Sequence, residues 1–327
     1  MKKLLLSILL LGQVGLQAQI SVNSTDFANL EDTVRVSYAP TPDQFLYQET
    51  GENMNWDFGF LGLDSQVVHD YRPVSETNIF FVQPYFGSTA DEAHQASYYK
   101  LINDFAGGFD TGTGIAIDEV AQFTKLTNEA MTSVGYSASF SGTPVAIPSD
   151  TIETIYSFPM NYNDSWNSRG YSLLDLSFLN FAFKQSRTRS SQVDGWGTLT
   201  TPYGTFETLR VKHVIHEIDS IYIALDTVNG AEWFGLEVPE TIEYEWITNN
   251  EKEPVLKVSA TVLAGFESVR SIIYRDTARV PDVLAIEKLA HENVLIYPNP
   301  ASDEINIPDA AAFNSFLIRS FDGKTVY

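Results

Sequence analysis

From Thr33 onward the apolar residues of this chain recur at every second position, the period that a pleated strand with one buried face produces. Thr33-Val34-Arg35-Val36-Ser37-Tyr38 sets Val34, Val36 and Tyr38 on one face. Leu209, Val211, His213 and Ile215 alternate with Arg210, Lys212 and Val214. In residues 255–263, Leu256, Val258, Ala260 and Val262 point the same way. Ala264-Gly265 then reads as the turn into an adjacent antiparallel strand over 266–274. Pro202-Tyr203-Gly204 supplies turn chemistry between 196–200 and 206–211, so a hairpin is expected there. Helical spacing is rare, and residues 286–292 form the best short candidate. The expected fold class is mainly β: an antiparallel β-rich main domain built as a barrel, a half-barrel or a sandwich.

Composition agrees with that class. Aromatic residues make up 13% of the chain, and there are 16 Tyr, 21 Phe and five Trp. Trp56, Trp166, Trp196, Trp233 and Trp246 are the candidates for a sugar-stacking platform, although in a β protein core and barrel-lining roles come first. There is no cysteine, which excludes disulfides, metal–thiolate sites, Cys nucleophiles and haem attachment. The roughly 260 residues of the main domain can bury a core without such staples. The formal net charge of −22 argues against nucleic acid or an anionic membrane surface as partner.

Catalytic signatures are thin. His213-Val214-Ile215-His216-Glu217 has two histidines three apart, whereas a zincin helix needs four. On a strand that spacing turns one histidine to the core and the other to solvent. There is no Gly-x-Ser-x-Gly elbow, no phosphate-cradling Gly-Lys loop and no Asp-x-Asp-x-Asn-Gly calcium loop. The glycine-rich run at 103–114 reads as a mobile loop that would flank a ligand mouth. A pair of glycosidase carboxylates cannot be picked from 42 acidic residues without a fold. No catalytic residue, cofactor site or metal site is assigned.

The two ends carry addresses. Lys2 and Lys3 precede an apolar stretch at 4–11 that is too short to span a bilayer. Leu16-Gln17-Ala18 then offers cleavage between Ala18 and Gln19, as in a signal peptide over 1–18. No later segment reaches the ~20 apolar residues of a transmembrane helix. Residues 281–292 form a linker rich in charge and Ala. Beyond it, Asn293-Val294-Leu295-Ile296 leads into Tyr297-Pro298-Asn299-Pro300-Ala301-Ser302-Asp303. There the two prolines force a turn, and Ile305 and Ile307 then alternate with Asn306. Residues 316–321 read as a further strand, and Asp322-Gly323 as a tight turn.

This tail resembles the opening of the type A sorting domain that Bacteroidota append to cargo of the type IX secretion system. The resemblance implies a small β-sandwich over 293–327, here only its first strands because the pattern stops at Tyr327 in mid-strand. It implies export through Sec and then the outer membrane, with the type IX machinery and its sortase as partners and a secreted or cell-surface location. Strings in the main domain are similar to ones in uncharacterised secreted Bacteroidota proteins: Gly51-Glu52-Asn53-Met54-Asn55-Trp56-Asp57, Phe158-Pro159-Met160-Asn161-Tyr162-Asn163-Asp164-Ser165-Trp166, and the hairpin from Gly195 to Val211. Tyr244-Glu245-Trp246 and Pro254-Val255-Leu256-Lys257-Val258 complete the set. The hairpin also resembles periplasmic lipoprotein-handling half-barrels, at the level of fold alone. Exported proteins of that lineage are O-glycosylated at Asp-Ser/Thr pairs. Thr33, Thr151, Ser220, Thr227 and Thr277 are the candidates, set against the plainer reading that such pairs start strands. The expected function is a non-enzymatic secreted or surface protein binding a glycan, such as a surface polysaccharide, or an apolar ligand. The alternatives are an extracellular hydrolase of unrecognised type and a structural or adhesion component of the cell surface.

Overall fold

The computed structural model describes residues 19–102, 117–140, 142–176, 181–226 and 230–279. They belong to one of the two compact units of the chain, Met1–Pro281. Ala18, the glycine-rich run, Thr227, the helix candidate at 286–292 and the sorting motif at 297–303 lie outside the described residues.

Fourteen strands form among the described residues: β1 (Thr33–Ala39), β2 (Met54–Asp57), β3 (Ser65–Asp70), β4 (Tyr98–Leu101), β5 (Ile117–Leu126), β6 (Ala130–Phe140), β7 (Thr143–Ser157), β8 (Ser165–Leu176), β9 (Phe181–Thr201), β10 (Gly204–Asp226), β11 (Gly230–Glu237), β12 (Thr241–Ile247), β13 (Leu256–Leu263) and β14 (Phe266–Arg275). Among the described residues helix is confined to α1 (Gln83–Phe86) and short 3-10 turns. The strands run in the order β3-β1-β14-β13-β12-β10-β9-β8-β7-β6-β5-β4, with β11 beside β10 and β2 beside β9. All the pairings are antiparallel except β2 with β9. The expected antiparallel β fold is therefore present, as a nearly closed barrel.

The two ends of the strand series meet at a seam. Arg72, just past β3, and Tyr99 of β4 exchange both backbone hydrogen bonds, each 2.9 Å. Glu253, in the β12–β13 connection, pins the seam from inside. It accepts from Lys100 Nζ (3.1 Å) and Tyr71 Oη and lies 2.8 Å from His69 Nδ1. Burial raises its carboxyl, but Lys100 and His69 outweigh that and hold it well below the usual carboxylate range.

The predicted hairpin forms and runs far beyond its turn. Pairing extends from Thr201↔Gly204 to Phe181↔Ile223, interrupted by one bulge at Arg210/Val211. β8 follows β9 only as far as Gln192. β2 takes up the vacated edge in parallel, from Met54↔Gly197 to Asp57↔Thr200. Gly197 makes this possible: its φ is +152°, and a Cβ there would stand 2.1 Å from the Met54 carbonyl oxygen.

The sheet is buried on both sides along much of its length. Val193, Leu209, Val211, Met131, Tyr156 and Met160 fill the inside together with Val22 and Phe27 of the N-terminal segment. On the outside, Trp56, Phe58 and Leu61 cover Leu199, Tyr244, Trp246, Leu256 and Tyr274. This second layer makes β12 buried on both faces and covers Arg210, which the alternation had turned away from the core and which is 1% exposed.

Candidate functional site

β9, β10, β12 and β13 turn a line of polar side chains into the barrel. In an antiparallel ladder, residues that pair across strands share a face. Ser191 pairs with His213 and His213 with Glu243, while Val211 pairs with Glu245 and Glu245 with Lys257. Two turns of the pleat away, Arg187 pairs with Glu217 and Gln185 with Asp219.

The charges in this line are interlocked. Arg189 Nε lies 2.7 Å from Glu153 Oε1 of β7, and its Nη1 lies 3.0 Å from Glu243 Oε2. Arg187 donates from Nε to Glu217 Oε2 at 2.7 Å and reaches Glu153 at 3.5 Å. Lys257 Nζ bridges Glu243 (2.8 Å) and Glu245 (3.1 Å). Burial raises both carboxyls, but Lys257 foremost, with Arg189 at Glu243 and His213 at Glu245, holds them below the usual range. Tyr156 donates its hydroxyl to Glu245, and burial followed by that carboxylate keeps the phenol well above its ordinary value.

Within the lattice, Ser191 Oγ lies 2.7 Å from His213 Nδ1, and His213 Nε2 lies 3.3 Å from Glu245 Oε2. With Glu245 ionised, Nε2–H donates to the carboxylate and the Ser191 hydroxyl donates to Nδ1. That is the donor order of a hydroxyl–imidazole–carboxylate nucleophile system. Its setting is that of a core network. The three residues are 4%, 0% and 4% exposed, Trp166 and Tyr156 pack edge-on to the imidazole, and Glu245 is tied up by Lys257 and Tyr156. Among the described residues Ser191 is shielded from solvent, which fits an arrangement that orders the barrel interior.

The lattice meets solvent at a shallow polar cleft lined by Ser149, Glu153, Gly170, Ser172, Gln185 and Arg187, with Tyr136 and Tyr171 at its sides. Its volume, about 10 Å³, is room for one water-sized sphere. On the same face Asp219 is 5% exposed, and its Oδ1 has no hydrogen-bond partner among the described residues. Burial, and then the charge of Glu217, push its carboxyl up to about 7.

A second constellation lies on the outer face of β8–β11. Tyr222 of β10 pairs with Trp233 of β11, with ring centroids 5.5 Å apart and planes inclined at 54°. Trp233 is 43% exposed. Lys184 of β9 places Nζ 4.2 Å from the indole centroid. In the next row Leu173, Lys184, Ser220 and Gly235 follow one another across the four strands. Over Gly235 the space is open among the described residues, with no heavy atom other than those of its chain neighbours within 4 Å of where a Cβ would stand. The surface thus offers an aromatic wall beside an empty floor edged by a hydroxyl and an ammonium.

The sequence candidates fall as follows. His213 is buried and His216 faces solvent, near Glu240. Among the described residues no cluster of three His, Asp or Glu side chains is arranged to hold a metal. Trp56 and Trp246 meet edge to face in the outer core, Trp166 and Trp196 pack on the inner one, and Trp233 is the exposed member. Gln19, Thr33, Thr151 and Thr277 are exposed and Ser220 is half-buried. Asp219 and Asp276, which precede Ser220 and Thr277, are buried. Asp276 accepts from Ser37 Oγ at 2.6 Å and Arg279 Nε at 2.7 Å. At Thr277, then, the acidic partner of the pair serves the fold, while at Ser220 it is buried. The ionic lattice was missed in the sequence because residues 184–192 are polar on both faces, which leaves the period without contrast.

Comparisons with protein-family models, with curated proteins and with solved structures gave no match.

Proposed function

We propose that this chain is an exported, non-enzymatic protein of the cell surface or surroundings whose barrel binds a glycan on the outer face of β8–β11. The observation that carries the binding is Trp233, a large indole left exposed beside Tyr222 and an open floor at Gly235. A sugar ring has an apolar C–H face that stacks on an indole, and its rim hydroxyls match the Ser220 hydroxyl and the Lys184 ammonium. The hydroxyl of Ser220 and the ammonium of Lys184 beside the aromatic wall favour a glycan over a purely apolar ligand. Burial of Ser191, His213 and Glu245 speaks against hydrolysis at that triplet. Export rests on the two ends of the sequence: the apolar segment before Ala18 and Gln19, and the run from Tyr297 through Pro298, Asn299, Pro300, Ala301 and Ser302 to Asp303.

Titration of the purified full-length chain with xylohexaose, laminarihexaose and cellohexaose tests the binding. At least one should bind, and Trp233→Ala should weaken it about tenfold or more. Absence of binding by all three, or binding indifferent to Trp233→Ala, would sink the proposal. Export is tested separately by fractionating cells with and without the type IX machinery. Retention inside the outer membrane is expected in its absence, and arrival at the surface regardless would refute that route.

A further inference from the structure

Away from that platform, the connection between β3 and β4 ends in an apolar point. Ile79, Phe80, Phe81 and Tyr85 are 63%, 77%, 52% and 48% exposed. A cluster of large apolar side chains in water is disfavoured unless it serves contact with something.

The point is held stiffly. The Asn78 side-chain oxygen accepts from the amides of Phe80 (2.9 Å) and Phe81 (3.0 Å), and its carbonyl accepts from Val82 and Gln83. The Gln83 side chain ties back to the carbonyls of Ser75 and Thr77. Val82 and Phe86 anchor the base, 2% and 0% exposed, and Phe86 stacks on Phe123 at 4.0 Å between centroids. The exposed side chains are therefore displayed by a braced turn, and little ordering remains to be done on contact.

We propose that this tip inserts into the interface of an electrically neutral lipid layer. Its side chains radiate from a convex turn, so a rigid partner would need a matching pit, whereas a fluid layer closes around any such peg. Phe and Tyr suit the boundary between headgroups and acyl chains. Residues 73–99 contain Glu76, Asp91 and Glu92 and no Lys or Arg. The flanking Arg72 and Lys100 are paired with Asp70 and Glu253, and Lys125 donates to the Glu92 carbonyl. The surroundings of the tip thus carry no excess of positive charge to hold an anionic surface, and a zwitterionic one needs none. The inference is independent of glycan binding, because the tip lies in the β3–β4 connection and the platform on β8–β11.

Flotation of the full-length chain with phosphatidylcholine vesicles tests it. Wild type should float, and the double substitution Phe80→Ser with Phe81→Ser should cut partitioning about tenfold or more, from the apolar area removed. Both positions are exposed, so the variant should keep its melting temperature. Comparing it with wild type also separates the tip from the N-terminal apolar segment. Equal flotation of the two proteins, preference for phosphatidylserine vesicles, or no flotation would overturn the proposal. So would concentration-dependent self-association in ultracentrifugation that the double substitution abolishes, which would assign the tip to a second copy of the chain.

Discussion

Arg210 carries its charge into a site that is 1% exposed. Burial lowers its pKa, and it keeps its proton through Asp194 (Nη1 to Oδ2, 2.8 Å), the Tyr47 carbonyl (2.9 Å) and the faces of Tyr244 and Trp246. Arg210→Ala strands Asp194 and empties the space between two aromatic rings, so a loss of about 3 kcal/mol or more is expected in denaturant unfolding. Ser191→Ala should behave differently. It leaves His213 Nδ1 without a donor, at a cost of about 1–3 kcal/mol, and should leave oligosaccharide affinity unchanged; a loss of affinity would show that the interior reaches the ligand after all. Asp219 sets a pH trend. Its folded pKa lies above its unfolded one, so the fold binds the extra proton, and the stability it lends is fully present below about pH 4 and lost as the pH rises through about 7. Asp219→Asn should therefore gain on wild type between pH 5 and pH 8 in thermal melts. These residues were hard to read in advance because a polar residue on a strand reads as solvent-facing by default. His213 was assigned to the core only because Val211 and Ile215 flank it at the same period, whereas Arg187 and Arg189 have no such apolar neighbours to give them away.

At the scale of elements, Gly197 decides whether β2 can join the sheet. Gly197→Ala would put a methyl group into the Met54 backbone at a φ that side chains avoid. It should cost at least about 2 kcal/mol and expose the segment around Trp56 to limited proteolysis. The alternation in β1, β10 and β13, the strand β14 after the Ala264-Gly265 turn, and the Pro202–Gly204 turn were legible in the sequence, because apolar side chains recur along one face of the first three and turn residues mark the other two. β2 was not, since its four residues pair in parallel with a strand far along the chain and no local pattern encodes a partner. The Trp233 platform was half legible. Five tryptophans named the candidates, but which one stays exposed depends on β11, which among the described residues pairs only with β10, off the main run of strands.

For the whole molecule, the carboxylates that brace the barrel set its response to acid. Glu253, Glu243 and Glu245 have folded pKa values below those of the unfolded chain. The stability they contribute is present above the unfolded carboxylate range near 4.3 and is lost as the pH falls through their folded values. Glu253→Gln should cost about 2 kcal/mol or more at pH 7, and the gap from wild type should close toward pH 2. Closure itself has a kinetic corollary. β9 and β10 are held by twenty paired positions, but among the described residues the seam is held by one backbone bridge, the ring contact of Tyr71 with Tyr98 and the cluster on Glu253. Opening there breaks the fewest interactions per strand released, so the ring should behave as a clasp whose excursions precede global unfolding. In native-state amide exchange the Arg72 and Tyr99 amides should exchange well before those of Val211 and His213, so the barrel breathes along one line.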